Sequence, residues 1–249
     1  MKNSYLAIVP AFNEQGSVGA VVRAIKHARA DFDVVVIDDG STDDTASQAW
    51  EAGAAVISHP FNLGIGASVQ CGLQHAYTHD YQVAVQVDGD GQHDPAFLQA
   101  LLDAIEDGAD VAWGSRFIGD GDYPMSFPRR VGRRVFAVIM SLIVRQRITD
   151  PTSGFRMLNR RAIKMFALDY PNDYPEVEAI QLMHSSGLVF REVPVRMRER
   201  QAGQSSITAA QSVYYMVKVL LAVLIGLFRA PVNEPRPAAA SGIHPEPGL

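Results

Sequence analysis

The stretch Val34-Val35-Val36-Ile37-Asp38-Asp39-Gly40-Ser41 decides the fold class of this chain. Its four consecutive β-branched residues predict a strand that is buried on both faces, as the central strands of parallel sheets are. Two aspartates and a glycine follow directly, so the strand ends in a polar loop. Ligands of open parallel sheets bind at the carboxyl ends of the strands. We therefore expect a binding site where this strand ends.

The same strand-then-helix unit recurs along the first half of the chain. Strands are predicted at residues 5–9, 34–37, 54–58, 82–87 and 110–113. Helices are predicted between them, near residues 17–25, 42–52, 64–77 and 94–105. Strands that alternate with helices imply right-handed crossovers. The pattern therefore predicts an α/β domain with a Rossmann-like, mostly parallel sheet flanked by helices.

The charge of the chain is divided unevenly among its segments. The 249 residues have a formal net charge of −5. Residues 1–128 hold 18 Asp and Glu but only 5 Lys and Arg, whereas residues 129–164 hold 10 Lys and Arg and a single acid. This asymmetry predicts two differently charged working surfaces. A hydrophobic content of 47% with one cysteine excludes a wholly disordered chain and a disulfide scaffold.

The basic segment at residues 129–147 contains an apolar stretch, Val135–Val144, with arginines on both sides. This stretch is far shorter than the roughly 20 residues that a membrane-spanning helix needs. It fits either a buried helix or a helix that lies in a membrane interface, with its arginines reaching the polar headgroups. The flanking charges favour the interfacial interpretation.

The C-terminal region differs in composition from the rest of the chain. Residues 211–229 are mostly apolar but are interrupted by Lys218, and they predict a membrane-associating helix. Residues 230–249 contain five prolines and predict a disordered tail. Because we see no basic, apolar leader and only one cysteine, we expect the protein at the cytoplasmic face of the cell membrane, peripheral or shallowly anchored.

The tripeptide Asp88-Gly89-Asp90 follows a predicted strand directly. Two carboxylates one residue apart can converge on one hard divalent cation and leave positions open for phosphate oxygens. Taken alone, the tripeptide also fits a solvated turn. Similar polar clusters follow the neighbouring strands, at Asp38–Asp43 and at Asn62–Gly66. Together the three clusters predict a site for a nucleotide diphosphate with a metal ion.

Several motifs occur in the order and spacing of a known family. The first group is Pro10-Ala11-Phe12-Asn13-Glu14, Val36–Asp43, Asn62-Leu63-Gly64 and Asp88-Gly89-Asp90-Gly91-Gln92. This group resembles the signature of the family 2 glycosyltransferases, which implies their A-type fold for a catalytic domain at residues 1–210. The second group is Gly114-Ser115-Arg116-Phe117, Asp150–Arg156 and Arg200–Ser205. It resembles the branch that glycosylates polyprenyl phosphates, the dolichyl-phosphate mannosyltransferase-like enzymes.

The resemblance implies a role for individual residues of this chain. It assigns the nucleotide to Pro10, Phe12, Glu14, Ile37, Asp39, Asp88 and Gly89. It assigns Mg²⁺ or Mn²⁺, with the diphosphate, to Asp88, Asp90 and Gln92. Among the catalytic candidates besides Asp90, it places Arg116 and Arg200 at the phosphates of acceptor or donor. Glu176 and Glu178 lie where this fold carries acceptor-side residues, although their place at a helix N-terminus also has a dipole explanation.

The expected activity is inverting, metal-dependent transfer of a hexose from a UDP- or GDP-linked sugar to a polyprenyl phosphate. A lipid phosphate is already anionic, so it needs no general base. Two alternatives stay open: a glycosyltransferase that extends a lipid-linked or cell-surface polysaccharide, with Glu176 or Glu178 as base, and a non-catalytic nucleotide-sugar-binding membrane protein. The expected partners are the two substrates and the membrane surface. An integral membrane partner or a homo-oligomer stays open, and no nucleic acid is expected.

Overall fold

A computed structural model describes residues 4–118, 127–171 and 175–198 of the chain. Its strands are β1 Tyr5–Ala11, β2 Phe32–Asp38, β3 Ala55–Ser58, β4 Val83–Gln86, β5 Val111–Ser115, β6 Arg156–Asn159 and β7 Phe190–Pro194. Within these residues they form one sheet in the order β3-β2-β1-β4-β6-β5-β7. All pairings are parallel except those of β6, which runs antiparallel to both of its neighbours. The predicted mostly parallel sheet is therefore confirmed.

Helices cover both faces of the sheet. They are α1 Val18–Ala28, α2 Thr45–Glu51, α3 Ile65–Thr78, α4 Leu98–Glu106, α5 Phe127–Val144, α6 Arg160–Leu168 and α7 Pro175–Ser185. A short 3₁₀ turn, Pro95–Phe97, precedes α4. Apolar residues of α1, α2 and α4 share one buried cluster, and those of α3, α5, α6 and α7 share the other. This arrangement confirms the α/β class with helices on both faces.

Strand β1 runs two residues further than the predicted 5–9 and includes Pro10. Its pairing with β4 ends at Ile8, opposite Gln86, whereas its pairing with β2 continues to Ala11. The Pro10 carbonyl accepts a hydrogen bond from the Gly89 N–H, 3.3 Å away. Proline is tolerated in this strand because the N–H that it lacks would lie beyond the end of the β4 ladder.

The short strands β6 and β7 are absent from the sequence prediction. Strand β6 has four residues, with a charged residue at its start and an amide at its end. Met157 packs into one core cluster and Leu158 into the other, so its two apolar side chains hold the strand between the helical layers. Two residues are too few to create a detectable periodicity.

Helix α5 extends the predicted apolar stretch towards the N-terminus as far as Phe127, and it presents two different faces. Phe136, Met140 and Val144 are buried in the core. The opposite face exposes apolar side chains to solvent, at Val131, Val135, Val138 and Leu142. The described residues include no helix long and apolar enough to cross a membrane. The predicted helix at 211–229 and the predicted tail at 230–249 lie outside the described residues.

Candidate active site

A cavity of about 520 Å³ opens at the carboxyl ends of β1, β2 and β4. Its lining comes from the loops that follow these strands and from the start of α3. The polar and aromatic part of this lining is Phe12, Glu14, Asp39, Asn62, Ser68, Asp88 and Asp90, and the remainder includes Pro10, Gly64 and Gly89. The clusters predicted at three strand ends therefore meet in one cavity.

Asp39 is a buried carboxylate at the wall of this cavity. One of its oxygens is 2.8 Å from Nδ1 of His59 and accepts from the Leu63 N–H at 2.9 Å, and the other accepts from the Gly64 N–H at 2.8 Å. Burial raises the pKa of Asp39, but the hydrogen bonds from His59, Leu63 and Gly64 outweigh it, and the pKa lies below its ordinary value. Asp39 is therefore an ionised acceptor facing the cavity.

The loop that contacts Asp39 packs closely on Gly40. A side chain at Gly40 would place its Cβ 2.6 Å from the carbonyl carbon of Phe61, and the φ angle of +74° also favours glycine. The loop can lie this close only because position 40 has no Cβ. The Asp-Gly pair of the motif thus serves two purposes, since Asp39 accepts the hydrogen bonds and Gly40 admits the loop that donates them.

The loop after β1 is tied to the loop after β2. Asn13 has a φ angle of 55°, donates its backbone N–H to Ser41 Oγ at 2.9 Å, and accepts from the Thr42 N–H at 3.0 Å. The Glu14 N–H donates to Thr45 Oγ1 at 2.8 Å. These bonds hold the Pro10–Glu14 segment against one side of the cavity.

The Asp88-Gly89-Asp90 loop is fastened by its own neighbours. Asp88 accepts from Gln86 Nε2 at 2.9 Å, and its backbone N–H donates to Nδ1 of His93 at 3.0 Å. Asp90 accepts from the Gln92 N–H at 3.0 Å. The buried His93 ring stacks on Phe155 with centroids 4.8 Å apart. His93 is therefore a structural support of the loop.

The carboxylate groups in the cavity are suitable ligands for a divalent metal ion. Asp88 and Asp90 line the same cavity, and carboxylate oxygens are preferred ligands of Mg²⁺ and Mn²⁺. In the described parts of the chain, no three His, Cys, Asp or Glu side chains gather closely enough to hold a metal ion by themselves. Two carboxylates leave positions that phosphate oxygens of a bound ligand would fill.

Two of the predicted ligand residues lie away from this cavity. Gln92 is not among the lining residues, and its backbone carbonyl accepts from the Arg198 N–H at 2.9 Å. The Ile37 side chain is fully buried in the core. The side chains of Gln92 and Ile37 are thus not brought together with the other predicted site residues.

Arg116 lies at the end of β5 and forms a two-pronged ion pair with Asp150. Its Nε and Nη2 atoms donate to the two carboxylate oxygens, each at 2.7 Å, and Nη2 also donates to Thr152 Oγ1 at 3.0 Å. Asp150 is 0% exposed, so its charge is compensated within the protein. The pair fixes the plane of the guanidinium group, because a bidentate contact constrains both ends of the fork.

Helix α5 contacts the same loop through Arg133. Its Nη1 atom donates to the Thr149 carbonyl at 2.8 Å, and its guanidinium lies 3.7 Å from the centroid of the Phe117 ring. Burial lowers the pKa of Arg133, while the nearby Asp150 opposes this shift. The basic helix and the loop that carries Asp150 are therefore directly connected.

Glu192 of β7 is a further member of this network that sequence analysis missed. Its carboxylate accepts hydrogen bonds from the backbone N–H groups of Thr149 and Asp150 and from Nε1 of Trp113. The sequence around it contains no motif, and only the β5–β7 pairing, with Trp113 opposite Glu192, brings it to the loop.

The remaining predicted site residues are only partly described. Glu178 lies on α7 and is half-buried. Glu176 belongs to the same helix, but its side chain lies outside the described part of the structure, as does the whole of Arg200. Arg198, two residues before Arg200, donates to Asp94 at 2.7 Å, beside the Asp88–Asp90 loop.

Comparisons with known proteins place this geometry in a family. The family model described as "Glycosyl transferase family 2" matches residues 6–166. The polyprenol monophosphomannose synthase of Mycolicibacterium smegmatis is 29% identical, over 86% of this chain and 84% of that protein. The undecaprenyl-phosphate mannosyltransferase of Micrococcus luteus is 28% identical, over 82% of this chain and 87% of that protein.

A solved structure shares the fold. It is that of glucosyl-3-phosphoglycerate synthase from Mycobacterium tuberculosis in complex with Mn²⁺, UDP and glucosyl-3-phosphoglycerate. The two structures superpose with a TM-score of 0.68 at 20% identity, over 89% of this chain and 79% of that chain. The resemblance stated from the motifs is thus confirmed by relatives from the polyprenyl-phosphate branch. The chain belongs to glycosyl transferase family 2 and is a glycosyltransferase.

Proposed function

We propose that the protein transfers a hexose, with inversion, from a nucleotide diphosphate sugar to a polyprenyl phosphate at the cytoplasmic face of the membrane. The observation that carries the proposal is the meeting of Asp39, Asp88 and Asp90 in one cavity. Curated relatives that are named for sugar transfer to polyprenol, undecaprenyl phosphate or dolichyl phosphate support the choice of acceptor.

Two groups of carboxylates in the cavity bind different parts of the donor in this proposal. Asp39, as an ionised acceptor, receives N–H or O–H groups of the nucleoside. Asp88 and Asp90 would hold Mg²⁺ or Mn²⁺, which, when bound, neutralises charge on the leaving diphosphate. UDP and Mn²⁺ in the structure of the synthase with the same fold are consistent with this donor class.

The acceptor needs cations more than it needs a base. A phosphate monoester is an anion near neutral pH, so its oxygen attacks without losing a proton to the protein. An acidic site repels this anion, and fixed positive groups must offset the repulsion. Arg116 lies at the end of β5 and its charge is balanced by Asp150, so we assign its guanidinium to the acceptor phosphate as an oriented hydrogen-bonding group. We assign Arg200 to the same phosphate as a positive charge. Glu176 and Glu178 are then assigned to binding on the acceptor side. They do not act as general bases in this proposal.

Helix α5 is the proposed membrane contact of the described part of the chain. Its exposed apolar stripe consists of Val131, Val135, Val138 and Leu142, with Leu142 74% exposed. Arg130, Arg134 and Arg145 are exposed beside this stripe. Apolar side chains bordered by arginines fit the interface of an anionic bilayer. The predicted interfacial segment at 129–147 is therefore assigned to the lipid surface that carries the acceptor.

Transfer to a defined acceptor tests the proposal. The full chain would be incubated with Mn²⁺ or Mg²⁺, radiolabelled UDP- and GDP-hexoses and undecaprenyl or dolichyl phosphate. We expect a lipid product that releases the intact sugar in mild acid, and an anomeric configuration opposite to that of the donor. Asp90→Ala should lower the rate by about 100-fold or more.

Three results would overturn parts of this proposal. Transfer by Asp90→Ala at the wild-type rate would remove the metal assignment. Transfer only to a lipid-linked oligosaccharide would show that the acceptor is not a polyprenyl phosphate. Tight nucleotide-sugar binding without turnover on any lipid would argue for a binding protein.

A further inference from the structure

We propose that Glu192 is a positioning residue, which sets the orientation of Arg116 through the loop at residues 149–154. The inference rests on the proposed function, because it takes Arg116 to bind the acceptor phosphate. Glu192 itself contacts protein groups in β5 and in this loop, which we call the Asp150 loop. It would act on the reaction only through them.

In the first step, Glu192 forms hydrogen bonds with the first residues of the Asp150 loop. The Thr149 N–H donates to Oε2 at 2.9 Å and the Asp150 N–H donates to Oε1 at 2.8 Å. Thr149 Oγ1 also donates to Oε2 at 3.0 Å, and Trp113 Nε1 donates to Oε1 at 3.1 Å. All four partners are donors. A carboxylate suits this position because it only accepts.

The second step leads from the loop to the guanidinium group. Asp150 is 0% exposed and accepts from Nε and Nη2 of Arg116, as well as from the Arg116 N–H at 3.2 Å. A shift of the Asp150 backbone would move both prongs of this pair together. The N–H group that Glu192 binds therefore belongs to the residue that aims Arg116.

The third step connects the far end of the same loop with the metal-side carboxylates. A Cβ at Gly154 would lie 3.0 Å from Nε2 of Gln86 and 3.6 Å from Oδ2 of Asp88. One end of the Asp150 loop is thus anchored to Glu192, and at the other end the space that a side chain at position 154 would occupy is bordered by Gln86 and Asp88. The loop spans from the donor side of the site to Arg116, so its position determines how the two charged groups face each other.

Substitution of Glu192 by Gln provides the test. The glutamine amide nitrogen is a donor, and it would face the N–H groups of Thr149 or Asp150 without an acceptor. We expect a fall in kcat of about 10- to 100-fold and a higher KM for polyprenyl phosphate. Binding of UDP or GDP with Mn²⁺, measured by calorimetry, should stay within about 2-fold of wild type. Glu192→Asp keeps the charge but is one methylene shorter, and it should show a smaller effect of the same kind.

Asp110→Asn is the matched control. Asp110 precedes β5 at its opposite end and accepts from Asn159 Nδ2, Arg161 Nη1 and the Val189 N–H. Like Glu192, it is a carboxylate that ties β5 to the segment of β7. Its substitution should lower the melting temperature and leave kcat and both KM values close to wild type.

The outcomes separate positioning from stability. A lower kcat and a higher acceptor KM in Glu192→Gln, with nucleotide binding preserved and the Asp110 control unaffected, would support the inference. Unchanged kinetics, or equal losses in nucleotide binding and transfer together with a lower melting temperature, would overturn it. If Glu192→Gln does not fold, the same criteria apply to Glu192→Asp. Inactivity of the wild-type protein with every lipid phosphate would count against the proposed function and not against this inference alone.

Discussion

At the scale of the residue, backbone N–H groups hold the carboxylates of the site in place. Asp39 accepts from Leu63 and Gly64, and Asp90 accepts from Gln92. A backbone N–H within a packed loop cannot rotate away, so these oxygens are oriented before any ligand arrives. Such preorganisation reduces the reorganisation that binding and transfer require.

The depressed pKa of Asp39 predicts a specific dependence of stability on pH. Asp39→Asn should lower the free energy of unfolding at pH 7 by about 1–3 kcal/mol, because its amide would face the N–H groups of Leu63 or Gly64. The folded-state pKa lies below the ordinary 3.8, so the contribution of the carboxylate is complete above that value. It is lost as the pH falls through the folded-state pKa. Urea unfolding of both proteins between pH 7 and about pH 3 measures this difference.

The difference between wild type and Asp39→Asn should therefore be constant near neutral pH and shrink in acid. A difference that grows as the pH falls would contradict the ionised state assigned to Asp39. Ser141→Ala is a suitable control, because it removes hydrogen bonds to the backbone of Ala137 and Ile148 and involves no ionisable group.

Residues next to a strand end could be predicted from the sequence, and residues that act from a distance could not. Asp39, Asp88 and Asp90 follow buried strands within their own motifs, so their place at the sheet edge follows from local pattern. His59 reaches Asp39 because β2 and β3 pair in parallel with Asp38 opposite Ser58. Glu192 lies in a strand without a motif. Its role depends on strand pairing, which a single sequence does not reveal.

At the scale of the element, the parallel part of the sheet is the part that periodicity predicts. Strands β1 to β5 are apolar runs bounded by turns, and their alternation with helices predicts that they run parallel. Strand β6 runs antiparallel between β4 and β5, although its sequence, Arg156–Asn159, is half polar. Its place is determined by packing against both core clusters, which is a tertiary effect.

Helix α5 combines a buried face and an exposed apolar face, and the exposed face leads to a prediction. Leu142→Glu should reduce binding to vesicles of phosphatidylcholine and phosphatidylglycerol by about 10-fold, because an apolar side chain is replaced by an anion at an anionic surface. Co-sedimentation with the vesicles measures the binding. The melting temperature should stay close to that of wild type, since Leu142 is 74% exposed.

Leu168→Glu is the matched control for this substitution. Leu168 belongs to α6 and is 68% exposed, so the change in polarity and charge is the same at a different surface. Equal losses in the two variants would show that net charge, and not the face of α5, governs membrane binding.

At the scale of the whole molecule, the charges divide between the proposed donor side and the proposed acceptor side. The acids concentrated in residues 1–128 include Asp39, Asp88 and Asp90 of the cavity, while residues 129–164 include the exposed arginines of α5. A net charge of −5 would predict repulsion from an anionic bilayer. Under the proposed function, the separation of the charges would instead orient the protein with its basic region towards the lipid.

This separation predicts that membrane binding depends on salt despite the acidic net charge. Raising NaCl from about 0.1 M to about 0.5 M should weaken binding to vesicles with phosphatidylglycerol by at least about 10-fold, because screening shortens the range of the arginine charges. Vesicles of phosphatidylcholine alone should bind weakly at both concentrations. Binding that strengthens with salt on the anionic vesicles would contradict an electrostatic role of the basic region.

The antiparallel strand β6 also has a consequence for how the chain folds during synthesis. Strands β1 to β4 pair with one another, so this part of the sheet can assemble once residue 86 has left the ribosome, and the cavity carboxylates Asp88 and Asp90 follow directly. The outer edge of β4 is paired by β6, which is synthesised only after β5 and the whole of α5. Until then this edge lacks its partner strand. An open strand edge is a template for pairing with other chains. The interval before β6 arrives is therefore when the nascent protein is most exposed to aggregation, and closing that edge is what joins the two sides of the enzyme.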